Sequence, residues 1–233
     1  MCTKMKILHL SDLHGVERFY SWIQVEVRRK HYDALVVAGD LLNFLVPETL
    51  WSQVTAVTAW TKSLPPDLPT FLVSGNHDKL AGHPFLDEAK WMLGLVRENV
   101  FVDGKSTQLG GFCIECVGWG NVPKTESQLP KIVVNHSPPS PAPTGRGRHG
   151  IDFGDKELSH HILTSPSYTW LVLCGHVHLP KQWYNLGAIN SLNPAADLRS
   201  LVPNHIIVDT DVRTATWHVK GTSHTIRLTG ALR

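Results

Sequence analysis

The sequence predicts an α/β fold: two mixed β-sheets packed as a sandwich with flanking helices. Three observations carry this. Short apolar runs alternate with segments of helical period through the first half of the chain. β-like segments separated by turn residues fill the last third. Most of the apolar runs stop at a small group of residues able to bind metal. Strand ends followed by polar residues are where an α/β fold opens a cleft, outside the carboxyl ends of its strands.

Lys6–Leu10 and residues 33–38 are apolar runs bounded by polar residues or glycine, and residues 16–30 between them carry apolar positions at helical spacing. This is a strand, helix, strand unit. Residues 48–63 repeat the helical pattern, with Pro47 near the start and Pro65-Pro66 beyond the end, and Thr70–Val73 supplies a third strand. Residues 83–93 read as another helix, and residues 99–117 break into short β segments around Gly104 and Gly110-Gly111. Lys131–Asn135 and residues 169–174 are apolar strands that each run into histidine. In the last third, residues 181–186, 188–192, His205–Asp209 and 212–219 are β-like and are expected to make a second, mostly antiparallel sheet. Each sheet must bury an apolar face, so the sheets are expected face to face with helices outside. The stretch 137–154, rich in proline, glycine and arginine, is expected to lie over the cleft.

The chain has 233 residues, 42% of them hydrophobic and 18% charged, which suits one domain over 1–233 that buries its own core. A formal net charge of +2 argues against a strong general nucleic-acid or membrane surface, so an anionic substrate must be recognised locally. No stretch approaches the roughly 20 apolar residues of a membrane helix, and the start of the chain has no apolar segment with a cleavage site. A cytoplasmic location is expected, with assembly into homo-oligomers left open. There are four cysteines, Cys2, Cys113, Cys116 and Cys174. Cys113-Ile-Glu-Cys116 has zinc-like spacing, but no second pair completes a site and strand alternation turns the two thiols to opposite faces. Buried reduced thiols are expected. The 14 histidines exceed what the clusters use, and His9, His31, His160, His161, His205 and His224 are assigned to core or surface.

Five clusters carry chemistry: Asp12-Leu13-His14, Gly39-Asp40, Gly75-Asn76-His77-Asp78, the solitary His136, and Gly175-His176-Val177-His178. Asp12 and His14 are two apart, and in extended backbone such side chains face the same way and can share one ion. His176 and His178 have the same spacing. Asp40, directly after a glycine at a strand end, can present one oxygen to each of two cations, and Asn76 adds a neutral amide oxygen. Two-metal sites hold their ions roughly 3.5–4 Å apart, a separation that needs an anionic bridge. Carboxylate, imidazole and amide oxygen without thiolate suit manganese, iron or zinc.

In their order these clusters resemble the signature of the calcineurin-like metallophosphoesterase superfamily: Asp-x-His, Gly-Asp, Gly-Asn-His-Asp/Glu, a lone His, and Gly-His-x-His. Every element is present. The resemblance implies the fold described above and two divalent metal ions. It assigns Asp12, His14 and His178 to one ion, Asn76, His136 and His176 to the other, and Asp40 to the bridge. It further implies that His77 is a catalytic histidine near the phosphate, with Asp78 hydrogen-bonded to its imidazole. The chemistry implied is attack by a metal-bridging hydroxide, with His77 protonating the leaving group.

The family is similar across diesterases, monoesterases, nucleases and protein phosphatases. Gly39-Asp40-Leu41-Leu42-Asn43 lacks the Asp-Arg-Gly continuation of Ser/Thr protein phosphatases, and His77 stands where lipid A pathway hydrolases usually carry arginine. What remains resembles the small single-domain phosphodiesterases. The expected substrate is therefore a small nucleotide-like phosphodiester, with a phosphomonoesterase or nuclease as the alternative and a non-catalytic scaffold as the second. Arg146, Arg148 and His149 in the covering loop are candidate substrate contacts. Asn193-Pro194-Ala195 resembles an Asn-Pro-Gly turn of some small relatives, with alanine in place of glycine.

Overall fold

The computed structural model describes residues 4–46, 49–79, 87–180, 184–186 and 188–230. In chain order β1 (Lys6–Leu10), α1 (Glu17–Arg29), β2 (Ala34–Ala38), α2 (Leu50–Ser63) and β3 (Thr70–Val73) make the first half. There follow β4 (Val100–Phe101), β5 (Ser106–Leu109), β6 (Phe112–Val117), β7 (Lys131–Asn135), α3 (Lys156–Thr164) and β8 (Thr169–Leu173). β9 (Tyr184–Leu186), β10 (Ile189–Leu192), β11 (His205–Asp209), β12 (Thr214–Val219) and β13 (Thr222–Arg227) complete it. Cys2, the helix start expected at Pro47 and Glu48, residues 83–86 of the helix expected over 83–93, and residues 181–183 lie outside the described residues.

α1 forms because Phe19, Tyr20, Ile23 and Val27 recur on one face and are buried, while Glu17 in its first turn and Arg28 and Arg29 in its last complement the helix dipole. α3 escaped the sequence reading. It has nine residues, with Leu158 and Ile162 its buried apolar pair, and starts where the Asp155 carboxylate accepts the Leu158 N–H at 2.9 Å. Asp87–Leu95 is a 3₁₀ segment and not a regular helix. Glu88 and Ala89 there have φ of 51° and 54°, a left-handed conformation in which the α-helical hydrogen-bond ladder cannot continue.

The first sheet has the order β13-β12-β11-β1-β2-β3-β4 and the second β5-β6-β7-β8-β10-β9. β1 through β4 pair in parallel, as do β6, β7, β8 and β10, and the remaining neighbours pair antiparallel. β2, β7 and β8 are buried at every residue, as strands covered on both faces must be. The C-terminal strands therefore do not form a sheet of their own as expected. β9 and β10 extend the second sheet, while β11–β13 complete the first, because β1 would otherwise present an unpaired edge.

Ile7, Val36 and Phe71 of the first sheet meet Ile114, Ile132, Val134 and Trp170 of the second in the core between them. The outer face of the first sheet is covered by α1 and α2, and that of the second by α3 through Leu158 and Ile162. Cys113, Cys116 and Cys174 are buried and free. Lys131 is buried too: its Nζ lies 2.6 Å from Glu115 Oε2 and donates to the Thr125 carbonyl at 2.8 Å. Glu115 Oε1 accepts the Lys124 and Thr125 N–H groups at 2.6 and 2.9 Å, which ties the segment before β7 to the second sheet. Lys131→Ala would leave the Glu115 charge buried without its cation and should destabilise the fold by about 3–5 kcal/mol, read by urea unfolding. A loss within experimental error would show that the pair is dispensable.

Candidate metal centre

The centre is built where the carboxyl ends of β1, β2, β3, β7 and β8 meet. The loops after β1 and β2 are zipped together: the N–H groups of Asp12, His14 and Gly15 donate to the carbonyls of Gly39, Asp40 and Leu41 at 3.0, 2.8 and 2.9 Å. Asp12, His14, Asp40 and His176 have φ of 55°, 47°, 53° and 69°. Such left-handed backbone costs an L-residue roughly 1–2 kcal/mol, so these side chains are aimed at some expense of stability. Two glycines make the approach possible. A Cβ on Gly39, itself at φ 84°, would overlap the His136 ring, and one on Gly75 would overlap the Asp40 carboxylate.

The donor atoms converge. His178 Nε2 lies 3.4 Å from Asp12 Oδ1 and 3.0 Å from His14 Nε2, so Asp12, His14 and His178 form one group. Asn76 Oδ1 lies 3.2 Å from His136 Nε2 and 3.0 Å from His176 Nδ1, which gathers a second group. Between them, Asp40 Oδ2 is 3.3 Å from His136 Nε2 and 3.6 Å from His14 Nε2. One oxygen of Asp40, and not one oxygen for each side, faces both groups. Its Oδ1 is taken by the His77 backbone N–H at 2.8 Å, which leaves Oδ2 alone to be shared.

Tautomer and charge fit cation binding. His136 Nδ1 donates to the Ala38 carbonyl at 2.7 Å, which points the other ring nitrogen at Asp40 and Asn76. The His176 N–H reaches both oxygens of Asp12 at 3.2 Å, and Ser11 Oγ donates to Oδ2 at 2.5 Å. Burial alone would raise the Asp12 carboxyl, but the hydrogen bond from His178 and the charges of His136, His178 and His14 hold it well below the usual carboxylate range. Burial would likewise raise Asp40, yet His136 keeps it lowered. The converse holds at His136, where burial is outweighed by Asp40 and Asp12 and the imidazole is raised to about 9. His176 is pushed down to about 4 by burial and by the charge of His136. Two ionised carboxylates with imidazole nitrogens around them are a donor set for divalent cations.

His77 is half-buried, its ring 4.6 Å from that of His14 and packed on Phe44 at 4.5 Å between centroids. A ring nitrogen of His77 also comes within 4.8 Å of donor atoms of His14 and Asp40. Asp78 departs from the expected partnership with that imidazole. Its Oδ2 accepts the N–H groups of Gly75 and Leu41 at 2.8 and 3.2 Å and its Oδ1 that of Leu42 at 2.8 Å, while His77 Nδ1 is buried without a hydrogen-bond partner. The carboxylate is drawn into the loop junction because three N–H groups there have no other acceptor within regular structure. Asp78 thereby clamps the loops after β2 and β3, and burial together with the charge of Asp40 pushes it up to about 7.

Of the stretch 137–154, Phe153 reaches the centre, its ring edge-on to that of His176 at 6.4 Å between centroids. Of the candidate substrate contacts, Arg148 lines a cavity whose wall includes His178. Arg146 is half-buried with its Nε unpartnered, and His149 is exposed and does not line that cavity. Three neighbours had no signal in the sequence: Ser11 on Asp12, Phe44 on His77, and Trp119, whose ring lies 5.5 Å from His136 and 5.0 Å from His176. Asn193 proves structural. It is buried and donates to the carbonyls of Gly175 and Val177 at 2.8 and 3.1 Å, bracing the segment that carries His176 and His178. Its Oδ1 accepts the N–H of Ala195, which sits at φ 63° where glycine would be unstrained.

The sequence profile of the calcineurin-like phosphoesterase family matches residues 5–180, and the chain belongs to that family. Comparison with curated protein sequences finds no significant match. Among solved structures, TT1561 of Thermus thermophilus is similar with a TM-score of 0.56 at 19% identity, covering 97% of this chain and 100% of its own. An archaeal phosphodiesterase follows with 0.51 at 15% identity, covering 95% and 99%. The phosphoesterase Yfce from E. coli is similar with 0.51 at 14% identity, covering 97% and 100%. At such identities the likeness is one of fold.

Two outcomes are expected here. Ala195→Gly should raise stability by about 1 kcal/mol by relieving left-handed backbone strain, visible as a higher Tm; an unchanged or lower Tm would refute the strain. Because His136 keeps its proton up to about 9, a cation that takes its nitrogen must displace that proton. Manganese affinity should therefore rise from neutral pH toward about 9, with proton release detected by calorimetry in buffers of different ionisation enthalpy. Binding without proton release would contradict it.

Proposed function

We propose that the protein hydrolyses a phosphodiester of a small nucleotide-like substrate, using two divalent cations. Asp12, His14 and His178 would hold one, Asn76, His136 and His176 the other, with Asp40 shared between them. The observation that carries this reading is the single Asp40 oxygen facing His14 on one side and His136 on the other in a buried seam. The mixture of carboxylate, imidazole and amide oxygen suits manganese, iron or zinc. When bound, such ions acidify an attacking water and offset charge on the phosphate oxygens. Membership of the phosphoesterase family and the presence of a phosphodiesterase among the structural neighbours support the choice of reaction.

The protein's own groups supply the rest. His77 is the general acid: diester cleavage expels an alkoxide, and a poor leaving group of that kind gains most from proton donation in the transition state. Its ring is held between His14 and Phe44, while its N–H fixes the Asp40 carboxylate, so one residue sets both the acid and the bridge. Asp78 positions rather than reacts, by holding Gly75, Leu41 and Leu42 in register beneath them. Trp119 packs against the His136 and His176 rings and Phe153 stands edge-on to His176, which fixes the orientation of those imidazoles.

Asp40→Ala should abolish turnover of bis(p-nitrophenyl) phosphate and lower metal content measured by elemental analysis. His77→Asn should keep the metal content and lose on the order of 10²–10⁴-fold in rate on an alkyl diester, with a smaller loss on the p-nitrophenyl ester, whose leaving group needs little protonation. Equal losses on the two esters would remove the acid assignment, and metal lost together with rate would make His77 a ligand. Hydrolysis of monoesters alone would shift the reaction to a phosphatase.

A further inference from the structure

Trp119, in the turn after β6, offers no metal donor of its own, since its indole nitrogen only donates. Its half-buried ring lies against two imidazoles of one candidate group, 5.0 Å from His176 and 5.5 Å from His136 between centroids. Its peptide is gripped by the segment that carries the third member of that group. The Trp119 N–H donates to Ser74 Oγ at 3.1 Å, and Lys79 Nζ donates to the Trp119 carbonyl at 2.7 Å. Ser74 and Lys79 stand two residues before and three residues after Asn76.

The grip is itself anchored. Asp103, just beyond β4, accepts both donors of Ser74, the N–H on Oδ1 at 2.9 Å and the hydroxyl on Oδ2 at 2.6 Å. With its proton committed to Asp103, the hydroxyl has only lone pairs left for Trp119, so the direction of that bond is set. The approach is close: a Cβ on Gly118 would overlap the Asp103 carboxylate. Asp103, Ser74, Trp119 and Lys79 thus tie the loops after β3, β4 and β6 together beside Asn76, His136 and His176. The other group is held by separate contacts, Asp12 by the Ser11 hydroxyl and His14 by the bond of its N–H to the Asp40 carbonyl.

We propose that Trp119 is a positioning residue that gathers Asn76, His136 and His176 for one cation and leaves the affinity of the other cation unchanged. A cation binds tightly when its donors already stand at coordination distance, and loss of a contact behind the ligands typically costs about 10–100-fold in metal affinity. The indole keeps the two imidazoles from turning away, while the grip on its peptide keeps Asn76 within reach of both. The presence of two cations rests on the phosphoesterase reading; the selectivity of Trp119 for one group rests on the contacts themselves.

Manganese alone is the probe, titrated by calorimetry into the metal-free wild type, Trp119→Ala, Trp119→Phe and Lys79→Met, with bound ions counted from the paramagnetic resonance signal of free manganese. Trp119→Ala should weaken one of two ions by about 10–100-fold and leave the other within about threefold, and Trp119→Phe, which keeps a ring there, should restore most of the loss. Lys79→Met removes a positive charge, which by Coulomb attraction alone would tighten cation binding. It should instead weaken the same ion, and it decides the matter if Trp119→Ala does not fold. Wild-type affinities in Trp119→Ala, equal weakening of both ions, or tighter binding by Lys79→Met would overturn the role. A wild type that binds a single manganese would retire the two-cation reading, and the role of Trp119 would then be read on that ion: weakening by Trp119→Ala with recovery in Trp119→Phe would sustain it, and unchanged binding would end it. No uptake by the wild type would overturn both.

Discussion

Two carboxylates, Asp12 and Asp40, are kept ionised a few ångströms apart in the buried seam where the two sheets meet, and the rest of the site is arranged around that fact. Burial opposes both charges. Without bound cations, the imidazoles of His136 and His178, both raised by the neighbouring carboxylates, supply the compensating charge, and His136 is raised to about 9. A divalent cation held there would supply the same compensation, and its uptake would displace protons. The cluster is an electrostatic problem that the fold solves with its own imidazoles.

Hydrogen bonds from neighbouring groups enforce this geometry and leave Asp40 Oδ2 and His136 Nε2 turned toward each other. Backbone N–H groups occupy Asp40 Oδ1 and both oxygens of Asp12, the Ala38 carbonyl fixes His136, and Asn193 braces the carbonyls on either side of His176. His9, buried in β1, spans to the second sheet through the carbonyls of Cys174 and Leu192, and burial pushes its imidazole down to about 4, which keeps it neutral. These are buried polar groups with partners on both sheets. They make the relative placement of the sheets a condition of the site, and four left-handed residues show how far the backbone is bent to meet it.

Much of the fold was legible because strands covered on both faces must be apolar throughout. Lys6–Leu10, Thr70–Val73, Lys131–Asn135 and His205–Asp209 were read at their observed bounds. α3 was not, since nine residues with one buried apolar pair leave little periodic signal, and its start depends on the Asp155 cap. The division of the C-terminal strands between two sheets was also hidden. Period-2 alternation tells that a segment is a strand, and says nothing of which edge it will close.

For the candidate site, the sequence by itself held the candidate donors and their order, because ligand chemistry resides in residue type; spacing by two keeps Asp12 and His14 in one group but does not keep His176 with His178. Tertiary structure alone decided how each donor is used. The choice of one Asp40 oxygen for both sides follows from the His77 N–H occupying the other, and the role of Asp78 as a backbone clamp follows from three loop N–H groups converging on it. The cavity beside His178 joins residues from 148 to 220 that no local pattern connects. Which atom faces which is fixed by contacts between segments far apart in the chain, and such contacts exist only once the two sheets have packed.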